Sequence, residues 1–396
     1  MNIKNIKNKL GRAGIAAVVA IVWMSLDSVA SASAAQPVTM GWKLKDLTAA
    51  AGAPLATFSP ASYVFQSTQH VIYQGFTATQ GSDGHIHELY WDGGVWQHND
   101  LTVAAGAPLA TFTPLTGYAF GQSTQHVDYG GTDGHIHELY WDSDGWHHKD
   151  LTAATGAPLA NSGPTGYVFD AQKTQHVDYQ GTDGHIHELW WDSGSWHHND
   201  LTAITGAPLA ASGPTAYVFD AQKTQHVDYQ GTDGHIHELR WDRGVWYHKD
   251  LTTEAGAPLA GGPPMGYVFN FQGTQHVDYR GTDGHIHELW WSIDTWHHDD
   301  LTVATGGAFA VGSLTGYVFD AQETQHVDYQ GTDGHIHELW WESNVWHYRD
   351  LTAATFAPLA ISNPTSYVFV YDGTTPAQHV VYNAANHHII QLYWLP

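Results

Sequence analysis

An all-β fold, a seven-bladed β-propeller with four-stranded blades, is what the sequence predicts, and three observations carry it. The first is a repeat: His126, His176, His226, His276 and His326 advance by 50 residues at each step, with outlying copies at His70 and His379. The second is the content of each copy, short runs rich in Tyr, Val, Trp and Ile separated by turn residues, the pattern of a propeller blade. The third is the complementarity of the two ends. Gly41 to Thr48 (GWKLKDLT) matches only the last quarter of a repeat, Trp196 to Thr202 (WHHNDLT), whereas the copy beginning at His379 stops before that piece. Trp42 to Asp46 is therefore expected to supply the outer strand that the last blade lacks, which spares the ring an unpaired edge. Seven Asp-Leu-Thr ends, from Asp46 to Asp350, and seven His-Val starts give seven blades.

The third copy shows the elements. Gly166 to Asp170 reads as the innermost strand, Thr174 to Gln180 as the second and His185 to Trp191 as the third. Between the last two, Gly181-Thr182-Asp183-Gly184 reads as a tight hairpin, Asp-Gly supplying the positive φ such turns need. Asp192 to Ser195 is a second polar turn and Trp196 to Asp200 the fourth strand. A stretch typified by LTAATGAPLANSGP connects to the next blade. Nothing reads as a long amphipathic helix. Blade one carries extra residues at Gly75 to Gln80 and blade seven at Tyr371 to Pro376, both expected as surface loops.

Residues 1–34 read as a secretion signal and residues 35–396 as the propeller. Lys4, Lys7, Lys9 and Arg12 precede the apolar run Ala13 to Leu26, and Ala32-Ser33-Ala34 fits a cleavage site; a retained membrane anchor is the alternative. A secreted, extracellular protein is expected. It contains no cysteine, which excludes disulfides and thiolate chemistry. The mature part has 10 basic and 38 acidic side chains, a net charge of −28, which argues against nucleic acid or an anionic membrane as partner. All 30 histidines lie in it, so its charge changes strongly between pH 7 and pH 5.

Alternation assigns faces. His185, His187, Leu189 and Trp191 share one face of the third strand; Ile186, Glu188 and Trp190 share the other. On the second strand His176, Asp178 and Gln180 stand together. Both faces of a blade pack against neighbours, so polar side chains are expected only at blade edges or in clefts between blades, where a small ligand would sit. The glutamates Glu88, Glu138, Glu188, Glu238, Glu288 and Glu338 form a column. One account of it is a strand-edge carboxylate held by a nearby histidine. The other is a sugar site, in which a carboxylate accepts hydroxyls, an imidazole assists and an indole packs on the sugar's C–H face. The histidines His70, His126, His176, His226, His276 and His326, and the tryptophans Trp96, Trp146, Trp196, Trp246, Trp296 and Trp346, complete such sites in register, with the Trp190 position as a second indole column. At least one tryptophan column must serve blade-to-blade packing.

The run His176-Val-Asp-Tyr, a glycine turn, then Ile186-His187-Glu188 and a later Trp196 resembles the repeat of fungal fucose-specific lectins and their seven-bladed bacterial relatives. The resemblance covers nearly all of the mature chain. It implies secreted, multivalent binding of glycans at pockets between blades, each using an Arg on the second strand, a Glu twelve positions later on the third, and an aromatic. Glu138, Glu188 and Glu238 stand twelve positions after His126, His176 and His226, but the Arg is His in every copy. An imidazole offers one donor where a guanidinium offers a fork, so sugar binding carries over better than fucose specificity. In blade seven Gln391 replaces the Glu and Ile390 the second His, which predicts an impaired site.

Two further chemistries are open to these residues. The pairs His85/His87, His135/His137, His185/His187, His235/His237, His285/His287 and His335/His337 each face one way and could share zinc or copper with His197 or His198. Variation to Gln97, Tyr247 and Tyr348 on the fourth strand favours cross-strand hydrogen bonding instead, so no metal or other cofactor is expected. Asp178 with Glu188 offers the paired carboxylates of a glycosidase, but no catalytic set is unique to one blade, and a non-enzymatic protein is expected. The competing readings are a metal-binding propeller and a purely structural or protein-binding one.

Overall fold

The computed structural model describes residues 41–396 apart from Gln80, Phe112, Thr113, Asp372 and Pro396; the predicted secretion signal, residues 1–34, lies outside them. Seven four-stranded antiparallel sheets follow one another along the chain. In blade three the strands are Thr165–Phe169, Thr174–Gln180, Ile186–Asp192 and Ser195–Asp200, paired in that order and within one residue of the sequence expectation. The first strands of successive blades touch in a closed circuit, the seventh meeting the first.

The ring closes as the split repeat predicts. Gly41–Asp46 pairs antiparallel with Ile389–Leu395, placing Trp42 opposite Trp394 and Asp46 opposite Ile390. Among the described residues the insertions of blades one and seven partly lengthen the ladders, with Phe76 opposite Ser82 beyond a bulge and Val370 opposite Pro376, and partly form the exposed turns at Ala78-Thr79 and Gly373-Thr374. Extra residues added symmetrically on both arms of a hairpin satisfy their own backbone groups, which a loop would leave to water.

The hydrophobic core lies between blades. Ile136, Leu151 and Ala160 of blade two bury against Val177, Tyr179 and Leu189 of blade three, and the same arrangement recurs at each junction, including that between blades seven and one. Fully burying one such side chain stabilises by about 1.5–3 kcal/mol. The junction is tight near the axis. A Cβ on Gly166 would stand 2.4 Å from the Tyr118 ring of the preceding blade. Ala216, which takes this place in blade four, shows that one methyl can be fitted.

Each blade ends in a one-turn helix that the sequence pattern did not reveal. Leu201–Thr205 starts on Asp200, whose side chain accepts the Ala203 N–H at 2.8 Å, and ends at Gly206 in the left-handed region. The Asp-Leu-Thr signature now has a physical reading. Asp caps the helix, Leu201 is fully buried, and the Thr202 hydroxyl accepts the Ile186 N–H at 2.9 Å.

Removing Gly41–Asp46 would leave Ile389–Leu395 as a bare sheet edge. A chain lacking those residues should melt at lower temperature and aggregate in a concentration-dependent manner, as read by differential scanning calorimetry and light scattering. An unchanged melting midpoint would show that this strand does not close the ring.

Candidate functional site

Two clefts between blades collect the expected side chains. The one between blades four and five has a volume of about 430 Å³ and is walled by Glu238, Arg240 and Tyr247 on one side and Gln275, Trp291 and Trp296 on the other. The one between blades five and six, about 530 Å³, places Glu288, Trp290 and Asp299 opposite Gln325, Trp341 and Trp346. Both are of a size to hold a monosaccharide.

The tryptophan that completes each cleft comes from the following blade. Trp346 packs against the core that holds Ile286 of blade five, Trp246 against that holding Ile186 of blade three, and Trp146 against that holding Ile86 of blade one. Glu288 therefore works with Trp346, not with Trp296 of its own blade. Trp96 faces blade seven, and the partner beside blade six is Trp42. Sequence reasoning left Trp42 out of the site, although its alignment with Trp196 was the signal that could have found it. The Trp191 column also packs between blades, its ring meeting Phe120 of the preceding blade edge-on at 5.6 Å, as Trp141 meets Phe65 and Trp341 meets Phe269, while Trp291 and Trp341 line their clefts as well.

The histidine column is positioned but occupied. His176 Nδ1 lies 2.8 Å from Glu188 Oε1 and its Nε2 lies 2.7 Å from the Thr174 hydroxyl, with the imidazole stacked on Tyr167 at 5.0 Å. The same pairing joins His70 to Glu88, His126 to Glu138, His226 to Glu238, His276 to Glu288 and His326 to Glu338, at 2.7–2.9 Å. In blade six the Gln378 amide also reaches His326 Nε2 at 3.2 Å; an amide NH2 only donates, so Nε2 accepts and the proton sits on Nδ1. Both ring nitrogens are thus used within the protein. The imidazole orients Glu188 Oε1, and the second oxygen faces Asn199 at 2.7 Å. The partner opposite the glutamate varies around the ring: Asn99, Lys149, Asn199, Lys249, Asp299 and Arg349.

Blade seven breaks the pattern. Gln391 bonds Tyr367 and Gln69 at 2.9 and 3.2 Å, and His379 has no hydrogen-bond partner among the described residues.

One expectation is overturned. Polar side chains were to survive only at edges or clefts, yet Asp128, Asp178, Asp228, Asp278 and Asp328 are fully buried beside the glutamates. Apart from Asp328, which accepts a bond from Ser366 at 2.6 Å, their oxygens have no hydrogen-bond partner among the described residues. Burial pushes the Asp178 carboxyl well above its ordinary range and Glu188 adds to this, with Tyr167 opposing. A protonated acid is the cheap state for such a group. Ile72 and Val381 occupy the equivalent places in blades one and seven, an environment where an apolar side chain serves. In blade five burial, with Asp299, also pushes Glu288 up to about 8, opposed by the Trp346 indole. Because Asp178 has no access to solvent, the Asp178–Glu188 pair cannot flank a glycosidic bond.

The His-x-His pairs make the cross-strand bonds expected of structural histidines. His187 Nδ1 lies 3.0 Å from His198 Nε2, and burial, with the neighbouring His187, holds the His198 imidazole below its ordinary value. Tyr348 takes the His198 place in blade six and meets His337 Nδ1 at 2.9 Å through its hydroxyl.

No family model and no curated protein matches the chain. Among solved structures it is similar to the BP39L lectin from Burkholderia pseudomallei, at 14% identity and a TM-score of 0.66 over 86% of this chain and 96% of that one. It is similar to AofleA from Arthrobotrys oligospora at 19% identity, TM-score 0.52, covering 79% and 90%. The SapL1 lectin in complex with alpha methyl fucoside gives 19%, 0.50, 75% and 96%.

The buried aspartates set a pH dependence. Above about pH 4 the unfolded chain releases protons that the folded chain retains, so stability falls as pH rises towards their raised folded values, by up to about 1.4 kcal/mol per pH unit for each group. Burial pushes His276 the other way, down to about 3, which costs stability as pH falls below about 6.5. The fivefold Asp→Asn variant at Asp128, Asp178, Asp228, Asp278 and Asp328 isolates the first effect. Its melting midpoint relative to the parent should climb between pH 5 and pH 8, whereas a constant difference would mean that the aspartates do not titrate in that range. The chain shares its fold with known lectins.

Proposed function

We propose that the protein is a secreted, non-catalytic carbohydrate-binding protein that uses the clefts between neighbouring blades as repeated sugar sites. The observation that carries this reading is the cleft between blades five and six. Glu288 stands there with the Trp290 indole on one wall and Trp341 and Trp346 on the other. A carboxyl group that can bond hydroxyls, set between aromatic faces that can take a C–H surface, is what a sugar requires. Trp290 is itself stacked on His297 at 4.1 Å, which stiffens that wall. Buried His276 serves as a positioning residue that aims Glu288, leaving the glutamate and the indoles as contact groups.

The SapL1 structure holds a fucoside. Fucosides are accordingly the first sugars to test, although this chain places no guanidinium at the His176 position. Each shallow site binds weakly, and several acting together on a glycan-coated surface gain about 10²–10⁴ in avidity when geometry allows. Blades one to six supply the glutamate and blade seven does not.

The reading is tested on a glycan array with the mature protein and with the sixfold Glu→Gln variant at Glu88, Glu138, Glu188, Glu238, Glu288 and Glu338. Where the glutamate is ionised, the lost hydrogen bond is charge-assisted and worth about 1.5–3 kcal/mol, so such a site should weaken by about 10–100-fold. Absence of binding to every sugar by folded parent protein would refute the proposal, as would unchanged binding by the variant. Gln391→Ala should leave binding intact, because blade seven contributes no carboxylate.

A further inference from the structure

Away from the cleft glutamates, the hairpin and the helix cap of each blade bring carboxylates and imidazoles together. In four blades two aspartates and a histidine place one donor atom each within 4.8 Å of one another: Asp133, His137 and Asp150; Asp183, His187 and Asp200; Asp283, His285 and Asp300; Asp333, His335 and Asp350. The other histidine of each His-x-His pair adjoins its cluster. In blade three His185 Nδ1 is 2.8 Å from Asp200 Oδ2, and in blade five His287 Nε2 is 3.2 Å from Asp283.

The carboxylates are held in place by the backbone. Asp183 Oδ1 accepts the His185 N–H at 3.0 Å and Asp200 Oδ1 accepts the Ala203 N–H at 2.8 Å, which turns the second oxygen of each towards an imidazole, Asp183 Oδ2 at 3.2 Å from His187 Nε2 and Asp200 Oδ2 at 2.8 Å from His185 Nδ1. The His187 side chain is 1% exposed, fixed against Gly181, where a Cβ would stand 2.7 Å from its ring. Ordering these side chains is already part of folding, so little further entropy is lost when an ion binds.

We propose that these four clusters are zinc sites, each offering two carboxylate oxygens and one imidazole nitrogen, with water to complete the shell. One nitrogen, two carboxylate oxygens and a water suit a four-coordinate divalent transition ion. Calcium and magnesium, which take six or more oxygens, are poorly served. Binding replaces the proton on the ligating imidazole nitrogen, which then passes to solvent.

Blades four and seven contain internal controls. In blade four the Thr253 hydroxyl bonds Asp250 Oδ2 at 2.7 Å and stands 3.2 Å from His235 Nδ1, occupying the donor atoms. In blade seven Asn386 and Ile390 replace the aspartate and the second histidine, yet Asn386 still accepts the His388 N–H at 3.2 Å. Asparagine therefore keeps the turn while withdrawing the charge.

The test uses tag-free mature protein, stripped with EDTA, reloaded with zinc and dialysed, with zinc counted by mass spectrometry. At least three, and by geometry four, ions per chain are expected. The fourfold Asp→Asn variant at Asp133, Asp183, Asp283 and Asp333 should lose most of them while keeping its circular dichroism spectrum. The single variant Asp183→Asn should lose about one, a readout that does not depend on the fourfold variant folding. Fewer than three ions on the parent, or an undiminished count in Asp183→Asn, overturns the proposal.

Discussion

Everything in this structure depends on one blade being unable to bury itself. The face that holds Ile186 is covered only when Val227, Tyr229 and Leu239 of the next blade come against it, and the face that holds Val177 and Leu189 is covered only by the blade before. Each junction is thus a core of its own, and the ring is the arrangement in which no face is left over. The near-identity of the copies follows from the same constraint. A blade must match its predecessor on one side and its successor on the other, so an interface that works once works at every step.

The clefts inherit their form from this packing. A sheet twists, so two sheets that meet closely near the axis diverge outward, and the glutamate, the indole and their neighbours line the gap. The histidine fixes the glutamate from within the blade. Its two nitrogens are consumed between Thr174 and Glu188. The varied residues opposite the glutamate, from Asn199 to Arg349, alter the mouth of the cleft without touching the core that forms it.

The fold was legible in the sequence because repetition and strand alternation are both written in residue spacing. The closing strand could be read from the split WHHNDLT piece, and the packing of His176, Asp178 and Glu188 on one face from their parity. What escaped the sequence depended on the handedness of assembly or on depth. Parity places Trp346 on a face, but only the three-dimensional ring says that this face meets Glu288 of the preceding blade. Parity puts Asp178 beside Glu188, yet whether that position is wet or dry is decided by how close the next blade stands. The Leu201–Thr205 helix was invisible for a simpler reason: one turn is too short to show a helical period.

The pairing of Gly41–Asp46 with Ile389–Leu395 bears on how the chain folds. Six blades are built of strands close in sequence, and each can form as soon as its own hairpins meet. The seventh joins residues almost 350 positions apart, a contact that is costly in loop-closure entropy and slow to form. Until it is made, the outer edge of Ile389–Leu395 remains open to any passing strand. The last step of folding is therefore also the one most exposed to capture by a second chain, and exchange of the Gly41–Asp46 strand between two molecules is the misfolded form this architecture invites.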